Sequence, residues 1–140
     1  MRFSTISAIL CTVASALVVS ARGPEAVRFG VLNTSPIQVN AGDVISIKYN
    51  STLAFWQPKY VDFYIQGHRN GSNVPTPYIL IQRNDYASDQ TLLCSNYTVP
   101  DLVADYNAED WTLWAYVTYP SDSGPLEVGG VASGFTFETA

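Results

Sequence analysis

The chain has 140 residues, 12 acidic against 7 basic, for a net charge of −5. That length makes one ordinary domain. The acidic balance, with no basic cluster, argues against nucleic acid and anionic lipid as partners.

The first element is an address. Arg2 supplies a positive start, Ile6 to Val19 is an apolar run, and Val19-Ser20-Ala21 is a small-residue cleavage site. The run is too short for an ordinary membrane span. These features predict a secretory signal peptide over 1–21, cleaved after Ala21, with an uncleaved anchor as the rival. Residues 22–140 then form the mature domain. Removing 21 of 140 residues leaves 119, and losing Arg2 takes the net charge to −6. No second apolar segment offers a membrane span, and the ending SGFTFETA lacks the hydrophobic tail of a GPI signal. A secreted, extracellular product is expected.

Strands dominate the mature domain. Phe29–Leu32 and Pro36–Val39 read as a broken first strand. Asp43–Tyr49 alternates, with Ile45, Ile47 and Tyr49 inward. Lys59–Gln66 does the same with Val61, Phe63 and Ile65. Tyr78–Gln82 is apolar on both parities, which predicts a more fully buried strand. Thr91–Val99 is another candidate, ending at Pro100. Pro100–Asp110 is the one place for a short helical turn. Trp111–Tyr119 sends Trp111, Leu113, Ala115, Val117 and Tyr119 to one face and Thr112, Trp114, Tyr116 and Thr118 to the other. Gly134–Glu138 closes the chain with Phe135 and Phe137 inward. Turn residues at Asn40–Asp43, Asn70-Gly71, Pro120–Pro125 and Gly129-Gly130 punctuate the strands. The pattern predicts an all-β, Ig-like antiparallel β-sandwich of about seven strands.

Four sequons, at Asn33, Asn50, Asn70 and Asn96, fit N-x-[ST] and support a secreted glycoprotein. Cys11 departs with the signal peptide, so Cys94 is expected to be a free thiol, and the fold must rest on its core. Cys94 shares a parity with Asn96. It is therefore either exposed and able to pair between chains, or separated by a bulge and buried as a small hydrophobe.

Four landmarks recur in order: Ser35-Pro36, Ala41-Gly42-Asp43 leading into Ile45-x-Ile47, Asn96-Tyr97-Thr98-Val99-Pro100, and Ser133-Gly134-Phe135-Thr136-Phe137. This pattern resembles the N-terminal Ig-like domain of the fungal cell-wall synthesis family (killer-toxin-resistance type), also described as Ser/Thr-rich GPI-anchored wall proteins. The resemblance covers most of residues 29 to 138. It implies an Ig-like fold, a fungal source, and a place at the wall or in the secretome, with no catalytic residues. The Ser/Thr-rich stalk and the anchor signal of that family are absent, which leaves a free secreted domain.

Candidate chemistry is sparse. His68 is the sole histidine, so a multi-histidine metal site is excluded within a monomer. It sits in GHRNGSN, a solvated turn more readily than a general base. No G-x-S-x-G elbow appears. Glu109-Asp110 and Asp101 with Asp105 are paired carboxylates, but a small sandwich has little room for a glycosidase cleft, and turn capping explains them. No D-x-[DN]-x-[DN]-G pattern supports calcium. No cofactor, no metal and no enzymatic activity are expected.

The outer face is the feature left over. In an Ig-type sandwich the third and sixth strands are neighbours. Their outward parities then put Tyr60, Asp62, Tyr64 and Gln66 beside Thr112, Trp114, Tyr116 and Thr118. Tyr60, Asp62, Tyr64, Trp114 and Tyr116 are the candidate ligand-binding residues, on a flat surface suited to sugar rings. Against this, aromatics stabilise cross-strand pairs wherever they sit, and Ser51–Pro58 or Ser121–Val131 can fold over the face. The sequence therefore predicts a non-catalytic secreted fungal glycoprotein that binds wall polysaccharide through this face. The alternative is a secreted protein–protein module, an effector or a self-associating surface protein.

Overall fold

The computed structural model describes residues 28–124 and 126–138. The expected signal peptide and its cleavage site lie outside the described residues. Eight strands run in order: β1 (Val31–Ser35), β2 (Gln38–Val39), β3 (Val44–Asn50), β4 (Tyr60–His68), β5 (Ile79–Gln82), β6 (Leu92–Thr98), β7 (Asp110–Pro120) and β8 (Leu126–Phe137). A one-turn helix, α1 (Leu102–Tyr106), joins β6 to β7. Among the described residues, no helix is long and apolar enough to cross a membrane.

The strands form two sheets, β1-β3-β6 and β2-β8-β7-β4-β5. The all-β sandwich expected from alternation is what the chain adopts. One pairing departs from the antiparallel pattern: β2 runs parallel to β8, with Gln38 opposite Thr136 and Val39 opposite Phe137. The chain changes sheets between β1 and β2, where Ser35-Pro36 is a cis peptide.

The core lies between the sheets and follows strict alternation. Val61, Phe63 and Ile65 of β4, with Leu113, Ala115 and Val117 of β7, meet Ile45, Ile47 and Tyr49 of β3, and all are buried. Burying such apolar side chains stabilises by about 1.5–3 kcal/mol each before entropy is counted. Trp111 closes one end. Its indole N–H donates to the Ala108 carbonyl at 2.9 Å, and its ring lies 2.9 Å from where a Cβ on Gly67 would stand. Only glycine leaves that space.

The polar inner groups are satisfied locally. Tyr49 donates its hydroxyl to the Phe29 carbonyl at 2.6 Å, and burial pushes its phenol well above the ordinary range. Asp101 caps α1, accepting from the Ala104 N–H at 3.1 Å, and Asn107 ends the helix at φ 52. The turn capping expected of this acidic stretch is thus realised at Asp101.

Two local expectations need correction. Tyr78–Gln82 is not a deeply buried strand: β5 is a sheet edge, and Leu80 is 43% exposed. A bulge between Phe63 and Tyr64 shifts the register, so Leu80 stands opposite Tyr64 while Gln82 stands opposite Phe63. Gln82 accordingly turns inward, where its Oε1 accepts a hydrogen bond from Ser95 of β6. Cys94 is not a free thiol: it is disulfide-bonded, and the described residues hold no free cysteine. It stands half-buried on β6 opposite Lys48, on the outward parity it shares with exposed Asn96.

Candidate ligand-binding site

The β4–β7 ladder brings the expected outer face together. Tyr60 pairs with Thr118, Asp62 with Tyr116, Tyr64 with Trp114 and Gln66 with Thr112. All eight are partly exposed, while their neighbours along each strand are buried. Cross-strand and diagonal neighbours on one face lie within reach of aromatic side chains. Tyr64 and Tyr116 meet edge to face at 5.3 Å and 90°, and Trp114 stacks on Tyr116 at 6.0 Å and 26°.

The face is not flat. Tyr78, just ahead of β5, rises beside it and meets Tyr64 at 6.3 Å and Tyr116 at 5.8 Å, both near perpendicular. The segment before it is pinned. Thr76 is 2% exposed and its hydroxyl accepts the Gly67 N–H at 2.9 Å. Its carbonyl accepts from the Gln66 side chain at 3.1 Å. On the other flank, β8 puts Gly130 opposite Tyr116 and Val128 opposite Thr118. A Cβ on Gly130 would stand 3.4 Å from Trp114 and 3.7 Å from Tyr116, so the bare backbone leaves those rings uncovered on that side.

The result is a cleft of about 360 Å³ lined by Asp62, Tyr64, Tyr78, Tyr116, Thr118 and Val128. A second, polar pocket of about 380 Å³ adjoins it, sharing Asp62 and Thr118 and adding Tyr60, Arg83, Asn84 and Asp85. Each alone is within the size range of small-molecule sites.

Asp62 stands where the two meet. Its Oδ1 accepts the Asn84 N–H at a long 3.3 Å, and its Oδ2 lies 3.9 Å from Nε of Arg83, an exposed side chain. Nearby, the Lys59 ammonium lies over the Tyr60 ring at 5.4 Å. Tyr116 is the perturbed group. Desolvation first, then the neighbouring phenols of Tyr78 and Tyr64, push its phenol up to about 12. It therefore stays neutral and able to donate at any ordinary pH.

Asp62, Tyr64 and Tyr116 line the apolar cleft and Tyr60 the polar pocket, whereas Trp114 backs Tyr116 and lines neither. Its Nε1 is buried without a hydrogen-bond partner. Sequence reasoning missed Tyr78, Val128, Arg83, Asn84 and Asp85. Tyr78 carried a signal, an aromatic at the start of an apolar run, but its reach over β4 depends on the bulge and on the Thr76 anchor. Of the sequons, Asn33, Asn70 and Asn96 are exposed and Asn50 is half-buried.

No family model matches the chain, and no curated protein does. Solved structures do. The chain is similar to superoxide reductase (neelaredoxin) from Ignicoccus hospitalis, at 10% identity and a TM-score of 0.49 over 77% of this chain and 79% of that one. A further structure of that protein aligns at a TM-score of 0.53 and 10% identity, covering 81% of this chain and 84% of that one. At such identity the shared property is the sandwich fold.

These neighbours correct the functional expectation. The structure aligned at 0.53 bears an enzyme's name, not that of a wall-polysaccharide or protein-binding module. The non-catalytic glycoprotein reading and its protein–protein alternative are withdrawn, and so is the expectation that the chain is not an enzyme. Among the described residues, no group of three or more His, Cys, Asp or Glu side chains could hold a metal ion. His68 is exposed at the end of β4.

Proposed function

We propose that this domain binds a small molecule in the cleft between Tyr64, Tyr78 and Tyr116, with the adjoining pocket at Asp62 taking its polar end. The observation that carries this reading is the concavity itself. Three tyrosines from β4, β7 and the segment before β5 converge with a carboxylate on one recess. Core packing does not require them, because the sandwich is filled by the opposite parity of the same strands. A few convergent polar groups beside an apolar recess are the usual make-up of such sites. The reading includes a secreted setting, for which the leader-like first 21 residues and the sequons are the support.

The test is an amide-resolved NMR titration with three compounds of one shape, phenethylamine, phenethyl alcohol and phenylacetate. The expected result is saturable shifts centred on Asp62, Tyr64, Tyr78, Tyr116, Thr118 and Val128 with at least one of them. Absence of saturable shifts with all three, or shifts that survive Tyr78→Ala, would overturn the site.

A further inference from the structure

Resting on that reading, we infer that the ligand is an organic cation: an ammonium or amidinium group carried on an apolar body, with Asp62 as counter-ion. The two halves of the recess supply the two kinds of contact. Tyr64, Tyr78 and Tyr116 offer aromatic surface, to whose π faces cations are drawn. Asp62 pairs with Tyr116 across the ladder, so its carboxylate stands beside that ring.

The carboxylate is also under-used. An ionised carboxylate offers about four acceptor positions. Asp62 fills one, with a long 3.3 Å bond from a backbone N–H. Arg83 does not take the others. Its Nε is 3.9 Å away, beyond hydrogen-bond reach, and its side chain is 73% exposed, so the pair is a solvated one of little strength. A ligand ammonium at Asp62 can make the short charge-assisted bond that Arg83 does not.

The charges around the recess favour the same sign. The charged lining residues are Asp62, Asp85 and Arg83. The whole chain carries −5. An anion would meet two carboxylates and a negative long-range field, with the exposed Arg83 guanidinium and the Lys59 ammonium over Tyr60 in its favour. A cation meets the reverse, and the field raises its local concentration.

Charge order among the three phenethyl compounds tests this. Phenethylamine should bind about tenfold more tightly than phenethyl alcohol, the worth of one charge-assisted bond, and phenylacetate more weakly than either. Asp62→Asn keeps the shape and removes the charge. It should bring phenethylamine down to the level of the alcohol. High salt should narrow the gap in the parent protein. Equal binding of all three, or an amine preference that persists in Asp62→Asn, would overturn the cation inference while leaving the cleft as the site. No binding by any compound would overturn both. The folded state of the variant is checked by its amide spectrum.

Discussion

Tyr116 and Tyr78 meet edge to face, with their rings 5.8 Å apart at 79°. One belongs to the central strand of the five-stranded sheet, the other to the connection ahead of an edge strand. That single contact turns a sheet face into a recess.

Removing it has a readable outcome. In Tyr78→Ala, Tyr116 loses a neighbouring phenol and part of its cover, so its phenol should titrate nearer the ordinary value of about 10. Binding of the phenethyl probes should fall at least about tenfold. Stability should change by less than about 2 kcal/mol, because Tyr78 is 48% exposed. Ultraviolet titration of the variant against the parent checks the first point, and denaturant unfolding the last. A Tyr116 titration that stays high would disprove the role given to Tyr78.

Thr76 is expected to act at one remove. Thr76→Val keeps the volume but deprives the buried Gly67 N–H of its acceptor. An unsatisfied buried group costs about 1–3 kcal/mol. Tyr78 should then be held less firmly, so the probes should bind more weakly although no lining residue has changed. Full stability with full binding would show the anchor to be dispensable.

Gly130 separates binding from folding. Valine at this strand position should leave stability unchanged or raise it by up to about 1 kcal/mol. The new Cβ lies at ordinary contact distance from Trp114 and Tyr116. Its methyl groups would cover those rings, so probe binding should weaken in a protein at least as stable. Unchanged binding would mean that this flank of the aromatic cluster is not used.

Alkaline pH should reveal the buried phenols. Tyr116 titrates at about 12 and Tyr49, Tyr86 and Tyr97 are also raised, in each case chiefly by burial. In the unfolded chain all four titrate near about 10. The folded state therefore holds more protons than the unfolded state above that pH, and stability falls as pH rises. The contribution is complete below about pH 10 and, for Tyr116, is lost through about pH 12. Phenolate absorbance should show these four ionising late or only on unfolding. A single step near about pH 10 in a folded protein would refute the assignment.

Much of this is legible in the residues alone. Alternation in Asp43–Tyr49, Lys59–Gln66 and Trp111–Tyr119 predicts the inner face residue by residue, because a period of two leaves a strand one choice of which side to bury. The outer cluster of Tyr64, Trp114 and Tyr116 follows from the same parity once β4 and β7 are neighbours. What parity does not contain is a bulge. The shift at Phe63/Tyr64 reassigns β5, turning Gln82 inward and Leu80 outward, and alternation within Tyr78–Gln82 has no trace of it. Nor does a residue pattern report that Thr76 is held by a backbone N–H nine residues earlier. The cleft rests on those two facts, so the sequence suggests a flat surface where the molecule has a hollow. Cys94 differs in kind: its outward parity is readable, but whether a thiol is bonded is not a property of strand pattern.

The parallel pairing of β2 with β8 bears on how the domain answers to force. The two strands are joined by Thr136 N–H to Ile37 carbonyl at 2.8 Å and Glu138 N–H to Val39 carbonyl at 2.9 Å. The Asn40 and Glu138 side chains add a bond at 3.2 Å. Tension carried from the start of β2 to the end of β8 would slide these strands along each other and load all of the bonds at once, where an antiparallel pair pulled from one end opens them singly. The clasp is thereby locked in shear, and with β1, which precedes it and is held by β3, it resists a pull before the large core is disturbed.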